Sequence, residues 1–453
     1  MLRIGSAQGF YGDDVLKALP MIEGGHVDVV CFEALAELTL AILRNDMRKD
    51  PSRGFTWDIP IIAEKILPAA FKRHIPLITS GGGLNPTGAA EVVRAKAQQL
   101  GLHGLKIAIV TGDDLLPRLS DLLAEGETLA NMETGEALSL DGPPIVTASA
   151  YLGAFPIVEA LRRGADIVIT GRVADPCLYL APMIHRYGGA ADDWNRLASG
   201  IVAGHLLECT GQVVGGNSLA LVDEIEPDAL AHLGYPIAEV EESGAFVLTK
   251  VPNTPGRVSV ETAKEQLLYE IHDPRAYITP DVIANFTTLT LAPAGPDRVR
   301  VTGVTGRPRT ETLKVNIGRF EGYSRELIFT LGWPKVRRKA EQLEGMVREA
   351  WKGLPIERCE FTYLSVNSLY GSIGELPDDP LELAVRVTAM ARDPQTLKQA
   401  VRRLMALGLS GPAGMSVSGP TVSAEPRPIL GLWPALISRD KVQAKVEMCE
   451  VQA

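Results

Sequence analysis

Short apolar runs alternate with segments of helical period along the first 170 residues of the chain. Each run is rich in valine and isoleucine and is followed by small or polar residues, as buried parallel strands are. The runs are residues 2–4, 27–32, 76–79, 106–110 and 165–169. Between them, residues 88–100, 115–126 and 155–164 carry apolar positions at helical spacing. The pattern therefore predicts βαβ units with right-handed crossovers.

The hydrophobic pattern changes near residue 283. Residues 286–291 and 298–304 predict paired antiparallel strands around a turn at 293–297. Further strands are expected at 313–317, 326–331, 360–366, 383–390 and 445–448, with helices at 335–352 and 393–407. We therefore predict an α/β protein with a mostly parallel, Rossmann-like open sheet in residues 1–282 and a smaller α+β domain in residues 283–453. A closed (β/α) barrel is the alternative for the first domain, because the strand spacing fits both.

Composition narrows the range of partners. The 453 residues carry a formal net charge of −10 and contain no basic run, so we expect no nucleic acid partner. No apolar stretch reaches the roughly 18 residues that span a bilayer, so we expect no membrane partner. The five cysteines are scattered and form no CxxC pair, which favours a reducing, cytoplasmic location.

The richest glycine loop follows the third run, at residues 80–88. Its three consecutive glycines, Gly81, Gly82 and Gly83, allow a close backbone approach to a ligand, and Asn85 adds a polar side chain. Thr87 is expected to cap the following helix. The loop matches neither the P-loop nor the dinucleotide motif, so we predict an anion or substrate site of another kind. A sharp turn without a ligand is the alternative.

Two Gly-Asp-Asp turns, residues 12–14 and 112–114, follow the first and fourth runs. Capping of the next helix explains them nearly as well as a ligand role does, and it is the better explanation for the second turn.

An arginine follows the fifth run directly. Thr170, Gly171 and Arg172 lie at the predicted end of a buried strand, and Asp175 comes three residues after the arginine. A guanidinium in this place is suited to holding a carboxylate or a phosphate. An ion pair with Asp175 is the alternative role of Arg172.

Residues 194–212 form an apolar helical stretch in which His205, Glu208 and Cys209 share one face. A histidine beside a carboxylate suits acid–base catalysis, whereas a purely structural histidine fits the pattern equally well. No fourth ligand is visible, so we predict no metal. The next turn contains Gly215, Gly216 and Asn217, which are suited to holding an oxyanion. The chain has no GxSxG nucleophile motif.

These motifs together resemble the acyclic terpene utilisation (AtuA-type) family. The resemblance rests on residues 3–6 with 12–13, 81–86, 170–175, 204–209, 264–270 and 273–277, and it extends over nearly the whole chain. It implies a role in the breakdown of branched, acyclic terpenoids through acyl-CoA esters. It supplies no catalytic residues.

The first hypothesis is a catabolic enzyme, a lyase or hydratase acting on an organic acid or acyl-CoA ester. Arg172 would fix the acid, His205 with Glu208 would move a proton, and glycine N–H groups would hold the oxyanion. We predict no cofactor beyond CoA as part of the substrate. The alternatives are a non-catalytic binding or assembly subunit and a metal-dependent hydrolase. We expect a homo-oligomer, with a small partner subunit as a further option.

Overall fold

The computed structural model describes residues 1–371 and 379–452. The chain forms two compact units. Unit 1 comprises residues 1–139, 146–317 and 432–453, and unit 2 comprises residues 140–145 and 318–431. Residues 283–317 thus belong to unit 1. Because compactness does not show which segments fold alone, the domain boundary at residue 283 stays a prediction.

Strands and helices alternate through most of the chain. The strands are β1 (Leu2–Gln8), β2 (Val29–Phe32), β3 (Leu77–Thr79), β4 (Lys106–Thr111), β5 (Ile145–Ala150), β6 (Ile167–Thr170), β7 (Pro236–Val240), β8 (Phe246–Lys250), β9 (Tyr277–Ile278), β10 (Ile283–Asn285), β11 (Thr290–Pro293), β12 (Val299–Thr302), β13 (Thr305–Arg307), β14 (Thr312–Gly332), β15 (Arg358–Tyr363), β16 (Glu382–Ala391), β17 (Met415–Val417), β18 (Arg427–Ser438) and β19 (Lys445–Glu450). The helices are α1 (Ala18–Glu23), α2 (Glu37–Lys49), α3 (Ile59–Ile61), α4 (Leu67–Lys72), α5 (Pro86–Gln99), α6 (Leu119–Ala124), α7 (Phe155–Arg162), α8 (Cys177–Tyr187), α9 (Trp194–Leu207), α10 (Pro227–Ala231), α11 (Val260–Leu268), α12 (Val336–Ala350), α13 (Pro394–Met405) and α14 (Gly419–Ser423).

A ten-stranded sheet forms the centre of unit 1, in the order β11-β12-β8-β7-β1-β2-β3-β6-β4-β19. Its five central strands, β1, β2, β3, β6 and β4, are parallel, and they are the five runs predicted from the sequence. The four strands beyond β1 and the strand beyond β4 are antiparallel. The protein is therefore of the α/β class, but its large sheet is mixed and not mostly parallel. The Rossmann-like layout stays a prediction.

The central strands are buried on both faces, which explains their continuous apolar sequences. All four residues of β2 and all four of β6 are buried, and separate hydrophobic cores lie against the two faces of the sheet. Helix α5 begins where the glycine loop ends. Its cap is Asn85, whose side chain accepts a hydrogen bond from Gly88 N (2.9 Å), so the prediction that Thr87 caps this helix is wrong.

Unit 2 is built on an antiparallel sheet in the order β15-β16-β14-β17, and helices α12 and α13 share its hydrophobic core. The predicted strands at 313–317 and 326–331 are parts of one strand, β14. Two glycines, Gly318 and Gly322, made the intervening residues resemble a turn, although the backbone continues through them as a strand. Within the described residues, no helix is long and apolar enough to cross a membrane.

Candidate functional site

Polar side chains follow every central strand of unit 1 at its carboxyl end. They are Gln8 after β1, Glu33 after β2, Ser80 after β3, Asp113 after β4 and Arg172 after β6. Parallel strands bring these ends to one edge of the sheet, which is where α/β proteins bind ligands. Direct bonds join the loops, because Glu33 N donates to Gln8 O (3.0 Å) and Ala34 N donates to Ser80 Oγ (2.9 Å).

Arg172 is the centre of this edge, and only 2% of its surface is exposed. Its Nη1 forms an ion pair with Asp175 Oδ1 (3.0 Å) and donates to the Leu35 carbonyl, and its guanidinium carbon lies 4.2 Å from the ring centroid of Tyr151. The ion pair expected as the alternative role of Arg172 is therefore present. The buried Nε has no acceptor among the described residues, so its N–H group is free to donate a hydrogen bond to a ligand.

Three carboxyl groups surround this arginine: Glu33, Asp175 and Glu208. Burial raises the pKa of all three, and the effect of Arg172 is not enough to offset it. The exposed fractions are 6% for Glu33, 7% for Glu208 and 33% for the side chain of Asp175. Two buried carboxyl groups with raised pKa values thus lie beside a permanently charged guanidinium.

A second ion-pair group lies on the other side of Arg172. Glu37, the first residue of α2, accepts a hydrogen bond from the Tyr151 hydroxyl and pairs with Lys314 Nζ (3.3 Å). Although burial opposes its ionisation, Arg172, Tyr151 and Lys314 together lower the pKa of Glu37 to about 2. Glu37 is therefore a fixed negative charge, in contrast to Glu33 and Glu208.

His205 and Glu208 are in contact, as the helical spacing predicts. His205 Nδ1 lies 2.9 Å from Glu208 Oε1, and Nε2 lies 3.0 Å from the backbone carbonyl of Gln266. A carbonyl only accepts, so Nε2 carries the hydrogen, and Nδ1 faces Glu208 with a lone pair. Burial lowers the pKa of His205 to about 4 and raises that of Glu208, which favours a neutral imidazole beside a neutral carboxyl group.

Both residues of this pair have a side-chain atom without a hydrogen bond. Among the described residues, His205 Nδ1 and Glu208 Oε2 are buried and have no hydrogen-bond partner. The His205 ring packs against Tyr277 and Phe286, with centroids 5.3 Å away in each case. Because burial raises the pKa of Glu208 and lowers that of His205 to about 4, we expect Glu208 to exchange a proton with a ligand, and a direct catalytic role of His205 stays a prediction.

The second aspartate of each Gly-Asp-Asp turn accepts a hydrogen bond from the backbone N–H two residues later. Asp14 accepts from Leu16 N (3.2 Å) and caps the short helical turn at 15–17, so capping, one of the two alternatives there, is present. Asp114 accepts from Leu116 N (3.1 Å), but the cap of the turn at 116–118 is Leu115, which makes no side-chain capping bond.

The first aspartate of each turn joins two loops. Asp13 accepts from Gly9 N (2.9 Å) and from the hydroxyl of Thr210 (3.0 Å), so it connects the β1 loop with the segment after Glu208. Asp113 accepts from Arg172 N at 2.7 Å, and burial raises its pKa to about 7. A side chain at residue 171 would collide with the Asp113 carboxylate, which explains why Gly171 precedes the arginine.

The 80–88 loop packs closely against the loop after β6. A Cβ at Gly82 would lie 2.5 Å from the Thr170 carbonyl, and one at Gly83 would lie 2.8 Å from the Gly54 carbonyl. The Asn85 amide donates to the carbonyls of Ser52 (3.1 Å) and Arg53 (3.0 Å) in addition to capping α5. These contacts give Gly82, Gly83 and Asn85 structural roles, and their contact with a ligand stays a prediction.

The structure does not bring the 215–217 turn into the Arg172 cluster. Within residues 1–371, the atoms nearest to a Cβ placed at Gly215 or Gly216 belong to Gly211, Leu221, Ile225, Leu233 and Arg257. Asn217 is exposed and has a positive φ of 55°. An oxyanion role for this turn stays a prediction without support from its position.

The sequence did not indicate four members of the cluster: Glu33, Glu37, Tyr151 and Lys314. They lie far apart in the chain and match no motif, although Glu33 directly follows a buried run, which is the signal that singled out Arg172. In residues 1–371 and 379–452, no three His, Cys, Asp or Glu side chains are placed so that they could jointly hold a metal ion.

Comparisons with known proteins identify the family. Among solved structures, an amidase of the hydantoinase/carbamoylase family from Burkholderia phymatum matches 28% of this chain and 30% of its own, at 14% identity and a TM-score of 0.16. The match spans less than a third of the amidase, and a TM-score this low supports no inference about fold or function. None of the curated proteins matches the chain. A family profile described as acyclic terpene utilisation family protein AtuA matches residues 2–448. The chain therefore belongs to the acyclic terpene utilisation (AtuA) family.

Proposed function

We propose that this protein is a catabolic enzyme of acyclic terpene utilisation that performs acid–base chemistry, of the lyase or hydratase type, on an organic acid or acyl-CoA ester. One observation carries the proposal. A buried guanidinium with an unpaired Nε lies in the same cluster as Glu208, a buried carboxyl group with a raised pKa and an unpaired Oε2. Pairs of groups with different protonation at neutral pH are typical of acid–base sites.

Each group has a role in this reaction. Arg172 holds the carbonyl oxygen of the substrate and stabilises the negative charge that develops there in an enolate. In the hydration direction, the hydroxide part of water adds to the β-carbon, and the proton that water releases passes to an ionised carboxylate such as Asp175. Glu208 donates its proton to the α-carbon. The reverse steps give elimination.

Membership of the acyclic terpene utilisation family supports a branched substrate. For an acyl-CoA ester of a branched acid, the proposed reaction needs a double bond next to the thioester carbonyl. The fixed charge of Glu37 keeps the cluster anionic around Arg172, which favours a neutral carbonyl over a second strong anion at this position.

Solvent proton exchange is the most general test. The purified protein is incubated in D2O with CoA thioesters of branched, α,β-unsaturated acids, and mass spectrometry measures deuterium incorporation and hydration. We expect both with the wild-type protein. Glu208→Gln should lower the rates by about 10²–10⁴-fold, because the amide cannot give up a proton.

Arginine variants separate the site from general stability. Arg172→Lys should lose most of the activity, because the ammonium lacks the planar fork and the stacking on Tyr151. Arg325→Lys is the matched control: Arg325 is 6% exposed, lies in unit 2 and donates to the Val422 carbonyl at 2.6 Å. Absence of exchange across the thioester panel in folded wild-type protein, with recovery of a co-purifying chain, would instead support a non-catalytic assembly subunit.

A further inference from the structure

Three side-chain oxygens near the ends of β1 and β3 are buried and have no hydrogen-bond partner among the described residues. They are Gln8 Oε1, Thr56 Oγ1 and Asp58 Oδ1. The exposed fraction of each of these residues is 0%, so bulk solvent does not reach these oxygens. These atoms take no part in the proposed reaction, and the inference drawn from them goes beyond it.

The orientation of the Gln8 amide is fixed by its donors. Gln8 Nε2 donates to Asp58 Oδ2 (2.8 Å) and to the Phe10 carbonyl (3.2 Å). Both partners only accept when Asp58 is ionised, so the nitrogen and oxygen of this amide are not interchangeable. Oε1 is therefore a true acceptor that lacks a donor.

Thr56 comes two residues before Asp58 and is held by the glycine loop. Its N–H donates to the Gly81 carbonyl at 2.8 Å. Its Oγ1 occupies the space beside Gly81, where a Cβ would lie only 2.8 Å away. The absence of a side chain at residue 81 thus leaves room for this hydroxyl, which is a more specific reason for Gly81 than chain flexibility.

Among the described residues that act most strongly on Asp58, none carries a positive charge. The groups that act on it electrostatically are Asp13, another acid, and the Tyr11 hydroxyl, while hydrogen bonds from Gln8 and from the Gly12 backbone favour its ionised form. Burial nevertheless raises the pKa of Asp58 to about 6, so the carboxyl is mostly ionised at neutral pH. A water molecule would satisfy the hydrogen bonds of these oxygens but would leave the buried charge unpaired.

We propose that Gln8, Thr56 and Asp58 bind a monovalent cation of the sodium or potassium type. Hard cations take oxygen ligands, and one carboxylate with two neutral oxygens matches a single positive charge. Because the cation binds only the folded chain, it adds to the stability of unit 1.

Thermal unfolding in matched salts tests the proposal without any substrate. Wild-type protein is heated in about 100 mM KCl, NaCl or choline chloride at pH 8, and the Tm is measured. We expect the Tm to be higher by about 2 °C or more in KCl or NaCl than in choline chloride.

Two variants and a matched control assign the effect. Asp58→Asn and Thr56→Val should lose the salt difference, and Asp58→Asn should be at least as stable as wild type in choline chloride. The control is Asp281→Asn, because Asp281 is also buried (3% exposed) but accepts from Ala154 N at 2.7 Å, and this variant should keep the difference. Equal Tm values of the wild type in all three salts, or an unchanged difference in Asp58→Asn, would overturn the proposal. The wild-type salt series decides it even if Asp58→Asn does not fold.

Discussion

The protonation state of single residues determines what the Arg172 cluster can do. The closest analogue of a protonated Glu208 is glutamine, because its amide has a similar shape and carries no charge. Glu208→Gln should therefore fold with nearly wild-type stability even though it loses its proton. Removal of His205 is different, since it leaves a cavity between Tyr277 and Phe286.

The tautomer of His205 is directly measurable. We expect its nitrogen chemical shifts, in NMR spectra of protein labelled with ¹⁵N-histidine, to show a neutral ring with hydrogen on Nε2 from pH 8 down to about pH 5, because burial lowers its pKa to about 4. Exposed His103, whose Nδ1 lies 3.1 Å from the Gln452 carbonyl, serves as an internal reference for assignment. A ring that becomes doubly protonated near pH 6.5 would contradict the neutral pair and would restore His205 as the proton carrier.

Motifs singled out Arg172, Asp175, His205 and Glu208, because strand ends and helical spacing are local properties of the sequence. The structure pairs Arg172 with Asp175 and places His205 beside Glu208, while their roles at a site stay predictions. Asp113 was assigned to capping, since no local pattern shows that its carboxylate reaches the Arg172 backbone. Contacts of this kind depend on strand order, which the chain does not state. The same limit applies to the residues that surround Asp58.

At the scale of elements, helix α2 covers the edge of the sheet with little support from the main cores. Leu40 and Leu43 pack in a small separate cluster with Leu35, Tyr11 and Leu84. The helix begins after Ala36, whose methyl side chain cannot cap it, and its link to the Arg172 cluster is through Glu37. Since Arg172 is 2% exposed, a ligand reaches it only when some element moves, and we expect α2 to move because Leu40 and Leu43 pack outside the main cores.

Hydrogen exchange measures this motion. We expect the backbone amides of residues 37–49 to exchange faster than those of the central strands, because α2 opens locally. Leu43→Ala should accelerate the exchange of α2 further and should change the exchange of β1, β2 and β3 less. The matched control is Leu343→Ala in helix α12, which removes an equally buried leucine from the core of unit 2. Exchange of α2 only by global unfolding would show that the helix is not a moving cover.

Sequence periodicity predicted the elements of unit 1 better than their arrangement. The five parallel strands are largely buried and have continuous apolar runs, whereas β7 and β8 are buried but include the polar residues Glu239, Thr249 and Lys250, and were missed. Together with β11, β12 and β19 they make the sheet mixed, because each of these strands pairs antiparallel with its neighbours. Pairing partners are set by packing across the whole sheet, which local patterns do not contain.

For the whole molecule, the buried acids predict that stability falls as pH rises. The pKa values of Asp58 and Asp113 are raised by burial to about 6 and about 7, and those of Glu33, Asp175 and Glu208 are raised too. Between pH 5 and pH 8 the folded state thus binds more protons than the unfolded state, so stability decreases with pH. His205 has the opposite sign, since its lowered pKa favours folding at higher pH, but it is a single group.

Chemical denaturation in choline chloride at several pH values checks this slope. We expect a lower free energy of unfolding at pH 8 than at pH 6, and a flatter slope in Asp113→Asn. The exposed residue Asp192 provides the control variant Asp192→Asn, which should keep the wild-type slope. A free energy of unfolding that rises from pH 6 to pH 8 would mean that the acids of the cluster are ionised in the folded state.

The position of β19 has a consequence for biosynthesis. This strand pairs with β4 along its full length and supplies one edge of the sheet of unit 1, yet it lies at residues 445–450. While the ribosome is still adding unit 2, the outer side of β4 has no strand beside it. Because unpaired edges of this kind recruit foreign strands, we expect nascent chains to be prone to aggregation through β4 until residues 445–450 emerge.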